Sequence, residues 1–137
     1  MLFRSSIEGL VAKHRPDVVF THSRGDLNVD HGIVHDAVVT ACRPTPGSCV
    51  RELLFFEVAS STEWRPVGSH DAFHPNVFYD VTAHLAKKME ALAAYASEMR
   101  DFPHARSREA LEALARWRGA SCGFAAAEAF VLGRGLR

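Results

Sequence analysis

The chain has no long apolar segment, no excess of charge of one sign and no paired cysteine motif. None of its apolar runs approaches the roughly 20 residues that cross a bilayer. Its first residues contain neither the apolar stretch nor the small-residue cleavage site of a secretion signal. The 16 basic and 16 acidic residues cancel, which excludes any charge-based reason to expect a nucleic-acid or membrane partner. Together these absences predict a cytoplasmic protein.

The cysteines are few and cannot all be paired. Cys42, Cys49 and Cys122 are odd in number and include no Cys-x-x-Cys pair, so the sequence predicts reduced, unpaired thiols. The 137 residues are 47% apolar and 23% charged, which fits one globular domain with a core of its own. The sequence contains no internal repeat, low-complexity segment or linker.

Apolar periodicity and turn residues predict an α/β order of elements. The predicted helices cover residues 5–14, 31–42 and 83–99 and a segment that starts after residue 107, and the predicted strands cover 17–21, 53–58 and 77–81. The expected N-caps are Ser5 or Ser6, Asp30, Thr82 and Ser107. The continuous apolar run at 18–21 favours a strand that is buried on both faces, as in a parallel sheet. The tail at 125–134 fits either a helix or a strand.

A polar segment at residues 21–31 follows the first predicted strand and precedes a helix. In open α/β sheets, the ligand crevice lies at the carboxyl ends of the strands. The segment holds two carboxylates, an amide, an arginine and two imidazoles. His35 follows His31 by four residues, so both imidazoles share one helix face and could bind one metal ion. The alternative is an ordinary helix histidine, because Gly32 stands where zincins carry the general base.

This segment, THSRGDLNVDH, resembles the second signature of the PIG-L/LmbE-like N-deacetylases in its Asp-Leu-Asn-x-Asp-His form. The similarity continues through FFEVASSTEW, FHPNVFYDVT and EMRDFPHARS, and through AEAF near the end. It therefore covers nearly the whole chain. On this resemblance, residues 1–137 are expected to be a single partial domain, the C-terminal portion of a domain of that family.

The resemblance implies a Rossmann-like α/β fold with a mostly parallel sheet and flanking helices, lacking the family's first strands. It also implies a hydrolase that removes acyl groups, usually acetyl, from amino-sugar conjugates and related small amides. In that family two histidines and an aspartate hold a divalent metal, normally zinc. This chain supplies only His31, so its zinc site is expected to be incomplete. The motif Ala-His-Pro-Asp-Asp-Glu, which brings the other ligands and the general base, is absent.

The resemblance assigns further site residues. Asp30 directly precedes the metal ligand and is expected to be a catalytic residue that orients the surroundings of His31. Asn28, the other expected catalytic residue, stands where many relatives carry a histidine thought to stabilise the oxyanion. An amide NH₂ can donate to an oxyanion, although it cannot act as a general acid. The loop 59–75 and the connector 102–107 are expected to shape the substrate pocket. Trp64 could stack on a sugar ring, and His104 and Arg106 fall in the family's His-Pro-Arg-Ser, where Ala105 replaces the proline.

Three interpretations stay open at this point. The first is a truncated hydrolase that binds zinc weakly and is inactive as an isolated chain. The second is a non-catalytic binding module or partner subunit of the same fold, which the missing general base favours. The third is a small metal-binding scaffold that uses His31 and His35. The first also predicts an unprotected strand edge along 18–21, through which copies of the chain would pair or aggregate.

Overall fold

The computed structural model describes residues 2–68 and 72–137. The elements in chain order are α1 (Leu2–His14), β1 (Val18–His22), α2 (Val29–Ala41), β2 (Glu52–Phe56), β3 (Val77–Asp80), a 3-10 turn (Thr82–His84), α3 (Leu85–Ala93), α4 (Arg108–Ala120) and β4 (Ala127–Gly135). Part of the expected pocket loop 59–75, including His70, lies outside the described residues. Within the described ranges, every helix is too short or too polar to cross a bilayer.

The four strands form one sheet in the order β1-β2-β4-β3. β1 and β2 are parallel, from Val18 opposite Glu52 to His22 opposite Phe56. β2 and β4 are antiparallel, with an irregular register beside Leu53. The expected α/β class is confirmed, whereas the expected mostly parallel sheet is not. The reason is the tail of the chain, which forms β4 and pairs with β2 in the opposite direction.

The chain divides into two compact units. The first extends to Pro75 and also includes Phe130–Arg137, and the second is Asn76–Ala129. In the first unit, the buried core consists of Val38, Cys42, Val50 and Leu53. Side chains of α1 and β1 also pack against this core. Helices α1 and α2 therefore lie against the part of the sheet that comes just before the polar loops.

In the second unit, α3 and α4 pack around a small core. Its buried members are Leu85, Met89, Ala115 and Ala126. The predicted N-cap of α4 is confirmed, because Ser107 Oγ accepts a hydrogen bond from the backbone N–H of Ala110 at 3.1 Å. The single helix expected over 83–99 is wrong in its extent, since a 3-10 turn comes first and α3 ends at Ala93.

Two local expectations at the start of the chain are corrected. Neither Ser5 nor Ser6 caps α1, because this helix already begins at Leu2. β1 is not buried on both faces, since Thr21 is 2% exposed but Phe20 is 47% exposed. β1 is also the terminal strand in the sheet order, so its outer edge is open among the described strands. Pairing of two copies through this edge stays a prediction.

The three cysteines are all free and differ strongly in exposure. Cys42 is 1% exposed, and burial raises the pKa of its thiol, whereas Cys122 is exposed. We expect Cys122 to react first with a thiol reagent in the native protein. Cys42 should react on the order of a hundredfold more slowly, because its modification requires local unfolding. Peptide mass spectrometry over time measures both rates, and Cys122→Ser should remove the fast phase. Equal rates at Cys42 and Cys122 would contradict the burial of Cys42.

Candidate functional site

The candidate site consists of two loops that leave the carboxyl ends of the parallel strands β1 and β2. The loops contact each other through their backbones. The N–H of Ser23 donates to the carbonyl of Phe56 at 3.0 Å, and the N–H of Leu27 donates to the carbonyl of Ser61 at 3.2 Å. Because both strands run in the same direction, their following loops meet at one edge of the sheet, where ligands bind in open α/β sheets.

Asp26 is the buried centre of this contact. Its side chain lies in the loop after β1 and the residue is only 3% exposed. Its carboxylate accepts hydrogen bonds from the N–H of Asn28 at 2.9 Å, from the hydroxyl of Ser61, and from the hydroxyl of Thr62 at 2.9 Å. Burial alone would raise the pKa of Asp26, but its hydrogen bonds, led by the one from Ser61, outweigh burial and lower that pKa. The site therefore contains an ionised carboxylate.

His31 lies in the first turn of α2, directly against Asp26. Its Nδ1 is 3.1 Å from Asp26 Oδ1, a close polar contact outside ideal hydrogen-bond alignment. The ring of His22 stacks on the ring of His31, with centroids 4.1 Å apart and an interplanar angle of 22°. The ring of His22 also contacts the ring of Phe56, with centroids 4.7 Å apart. His31 is thus held by a carboxylate at one ring atom and by an aromatic ring on one face.

The zinc that the resemblance implies fits His31 but not a complete site made from the described residues. A carboxylate at one ring nitrogen of a histidine is the usual support of a metal-binding imidazole. The stacked ring of His22 cannot share an ion with His31, because the nitrogen lone pairs of nearly parallel rings lie in separate planes. Within residues 2–68 and 72–137, no group of three potential ligands is assembled. His31 is the one zinc ligand that the resemblance assigns to this chain, and its binding of zinc stays a prediction.

His35, the second histidine of the predicted pair, lies on α2. It is buried, its Nδ1 lies 2.8 Å from the carbonyl oxygen of His22, and its ring packs against Phe55 at 4.6 Å. These contacts engage His35 in the packing between α2 and the sheet. A hydrogen bond from Nδ1 to a carbonyl oxygen is compatible with metal binding through Nε2, so the metal-binding scaffold that would use His31 and His35 together stays a prediction.

The N-cap of α2 differs from the one that the sequence predicts. The N-cap of α2 is Asn28, not Asp30, because the Asn28 side-chain oxygen accepts from the Asp30 N–H at 3.0 Å. The N–H of Asn28 is already directed at Asp26, which places Asn28 at the boundary between loop and helix. The backbone N–H and the side-chain oxygen of Asn28 are thus both engaged, and its side-chain NH₂ is the group that could donate a hydrogen bond to a substrate. Asp30 is exposed in the first turn of α2, and its catalytic role stays a prediction.

Trp64 belongs to the loop that supports Asp26. The carboxylate of Glu63 stabilises this loop, because it accepts hydrogen bonds from the N–H of Ser60 at 2.6 Å and from the N–H of Ser61 at 3.3 Å. Trp64 follows in sequence and is 50% exposed. Its proposed stacking on a sugar ring is compatible with this exposure and stays a prediction.

His104 and Arg106 lie in the second unit and interact with each other. The N–H of Arg106 donates to Nδ1 of His104 at 3.0 Å, so the hydrogen of a neutral His104 must lie on Nε2. The guanidinium of Arg106 forms an ion pair with Glu98 at 2.7 Å. Both side chains are half-buried and organise the connector before α4. Contact of either residue with a substrate stays a prediction.

Sequence reasoning missed the residues that hold His31 in place. Asp26 was visible only as one of two carboxylates in the polar loop, and Ser61 and Thr62 only as part of a long loop. The signal that could have found them is their position. All three follow the ends of two strands that the apolar pattern identifies, and the ends of parallel neighbours meet at one edge.

The fold and the site define an α/β protein with a histidine–carboxylate pair at the ends of two parallel strands. No protein-family model matches the chain, and no curated protein matches it. Among solved structures, the chain is similar to the crystal structure of the conserved protein TT1542 from Thermus thermophilus, with a TM-score of 0.72 and 26% sequence identity. The similarity covers 98% of this chain and 59% of that chain, so this chain spans less than two thirds of the length of that protein.

Proposed function

We propose that this chain is the C-terminal portion of a zinc-dependent N-deacetylase of the PIG-L/LmbE-like kind. Its substrate would be an N-acetylated amino-sugar conjugate or a related small amide in the cytoplasm. The observation that carries the proposal is the contact of buried Asp26 with His31. This contact lies inside the segment that resembles the family's second signature, and at the edge of the sheet where ligands bind.

The finer fold assignment, a Rossmann-like domain, belongs to this proposal. Its support is local: β1, α2 and β2 follow one another in the chain, and the two strands pair in parallel. This is the βαβ arrangement from which doubly wound sheets are built. The resemblance adds the strands that would continue the sheet beyond β1.

The residues that the resemblance assigns have separate roles in the proposed reaction, in which Asp30 would help to orient the surroundings of His31. When bound, zinc supplies an activated water and polarises the amide carbonyl. His31 would be the zinc ligand from this chain, through Nε2, because Nδ1 faces Asp26. The side-chain NH₂ of Asn28 would donate to the carbonyl oxygen as negative charge develops there. Trp64, His104 and Arg106 would contact the substrate away from the bond that breaks.

The proposal is tested with a longer protein, in which the family's N-terminal segment with Ala-His-Pro-Asp-Asp-Glu precedes this chain. We expect this protein to release acetate from N-acetylated amino sugars in the presence of zinc. His31→Ala should lower kcat/KM on the order of a hundredfold or more, because a metal ligand is lost. The isolated chain should bind zinc weakly and show no turnover, since one imidazole leaves zinc mostly hydrated.

The matched control is His14→Ala, which removes an exposed histidine at the end of α1 and should leave kcat/KM unchanged. Acetate release that survives His31→Ala would refute the assignment of the metal ligand. A folded, zinc-loaded longer protein without activity on any N-acyl amino sugar would refute the proposed reaction.

A further inference from the structure

We infer that Asp26 is a positioning residue for His31. It holds the neutral imidazole in the tautomer that carries its hydrogen on Nδ1, which leaves Nε2 as the electron-pair donor. The role in a metal site rests on the proposed function, whereas the tautomer itself follows from the contacts of the two side chains.

The position of the hydrogen follows from electrostatics. A neutral imidazole has one N–H and one nitrogen lone pair. Nδ1 of His31 lies 3.1 Å from a carboxylate oxygen of Asp26, whose side chain is completely shielded from solvent. A lone pair at that distance would be repelled by the carboxylate, and little water is available to screen the repulsion. The N–H must therefore lie on Nδ1, although free imidazole side chains prefer to carry it on Nε2.

Asp26 is itself held rigidly by the loop after β2. The hydroxyl of Thr62 accepts from the N–H of Val58 at 2.7 Å, so its own hydrogen is directed to Asp26 at 2.9 Å. The hydroxyl of Ser61 likewise accepts from the N–H of Asn28 at 3.2 Å and donates to Asp26. A carboxylate accepts about four hydrogen bonds. Oδ1 of Asp26 accepts from Ser61 and from the Asn28 N–H and lies 3.1 Å from Nδ1 of His31, whereas Oδ2 accepts from Thr62.

The plane of the imidazole is restricted as well. One face of His31 is covered by the ring of His22, and His22 in turn contacts Phe56 of β2. The contact with Asp26 fixes one atom of the His31 ring, and the stacking limits its tilt. The direction of Nε2 is therefore set by residues from both loops, which is the preorganisation that a metal ligand or proton acceptor needs.

The tautomer can be measured directly on this chain by nitrogen NMR. The chain is labelled with ¹⁵N-histidine, and two-bond ¹H–¹⁵N correlations are recorded at about pH 8, where histidines are largely neutral. His31→Gln identifies the His31 signals by their loss. We expect Nδ1 of His31 to show the protonated type of resonance and Nε2 the unprotonated type. A His31 that carries its hydrogen on Nε2, or an even mixture, would overturn the inference.

A pair of variants separates positioning from a general structural role. Asp26→Ala should shift the tautomer ratio of His31 towards the Nε2–H form about tenfold or more, which corresponds to about 1.4 kcal/mol. Asp36→Ala is the matched control, because Asp36 is an exposed carboxylate on α2 that pairs with Arg24. It should leave the ratio unchanged. A folded Asp26→Ala chain that keeps the Nδ1–H form would contradict the role of Asp26. If this variant does not fold, the tautomer of His31 in the wild-type chain alone tests the inference.

The outcome does not depend on turnover. An Nδ1–H tautomer in a protein whose longer form lacks deacetylase activity would leave the positioning by Asp26 intact and refute only the proposed reaction. An Nε2–H tautomer in an active longer protein would refute the positioning by Asp26 and leave the proposed reaction intact.

Discussion

Replacing Gly119 by alanine is expected to lower the free energy of unfolding by about 3 kcal/mol. A Cβ atom at this position would lie 2.7 Å from the backbone N and Cα of Ala126 and from the carbonyl oxygen of Phe124. These are backbone atoms of the segment that enters β4, so they cannot move aside as the end of a flexible side chain could. Urea unfolding followed by circular dichroism measures the loss.

Gly32→Ala and Gly9→Ala are the controls for this prediction. Both glycines lie inside helices, and a Cβ atom at either position would meet open space. Alanine should therefore stabilise the chain by about 0.5–1 kcal/mol at each position, as helix propensity predicts. If Gly119→Ala stabilised the chain to the same degree as the two controls, the close approach at Gly119 would be wrong.

Replacing Asp26 by alanine should lower the free energy of unfolding by about 3 kcal/mol. The change leaves the hydroxyls of Ser61 and Thr62 without their buried acceptor, whereas the N–H of Asn28 keeps its bond to Ser61. Each unsatisfied group costs about 1–3 kcal/mol before relaxation. Asp36→Ala removes an exposed ion pair instead and should change stability by less than about 1 kcal/mol. Urea unfolding of both variants at neutral pH tests the contrast.

The same carboxylate should make the chain sensitive to acid. The pKa of Asp26 is lower in the folded chain than its ordinary value of 3.8. The stabilisation by its ionised form is therefore complete at a pH above that value, and it is lost as the pH falls through the lower, folded pKa. The difference in stability between wild type and Asp26→Ala should accordingly shrink in acid. A difference that stays constant from neutral pH to about pH 2 would contradict this linkage.

The candidate site could be read from the sequence only in part. His31 and Asn28 lie within one short segment after an apolar strand, so their residue types and spacing already indicated a site. The partner of His31 was not identified in this way, because the resemblance pointed to Asp30, which directly precedes His31 in the chain. Only the fold shows that Asp26 is buried against His31, whereas Asp30 is exposed and its N–H is capped by Asn28.

Local sequence patterns predicted the α/β class, the three strands near residues 17–21, 53–58 and 77–81, and the cap at Ser107. These features depend on contacts between residues that are close in the chain, and such contacts leave a periodic or positional pattern. The tertiary structure decided that the tail becomes the antiparallel strand β4 and that Gly119 tolerates no side chain. It also decided that Ser61 and Thr62 hold Asp26. Each of these depends on which distant segment lies alongside, and no local pattern of residues records that choice.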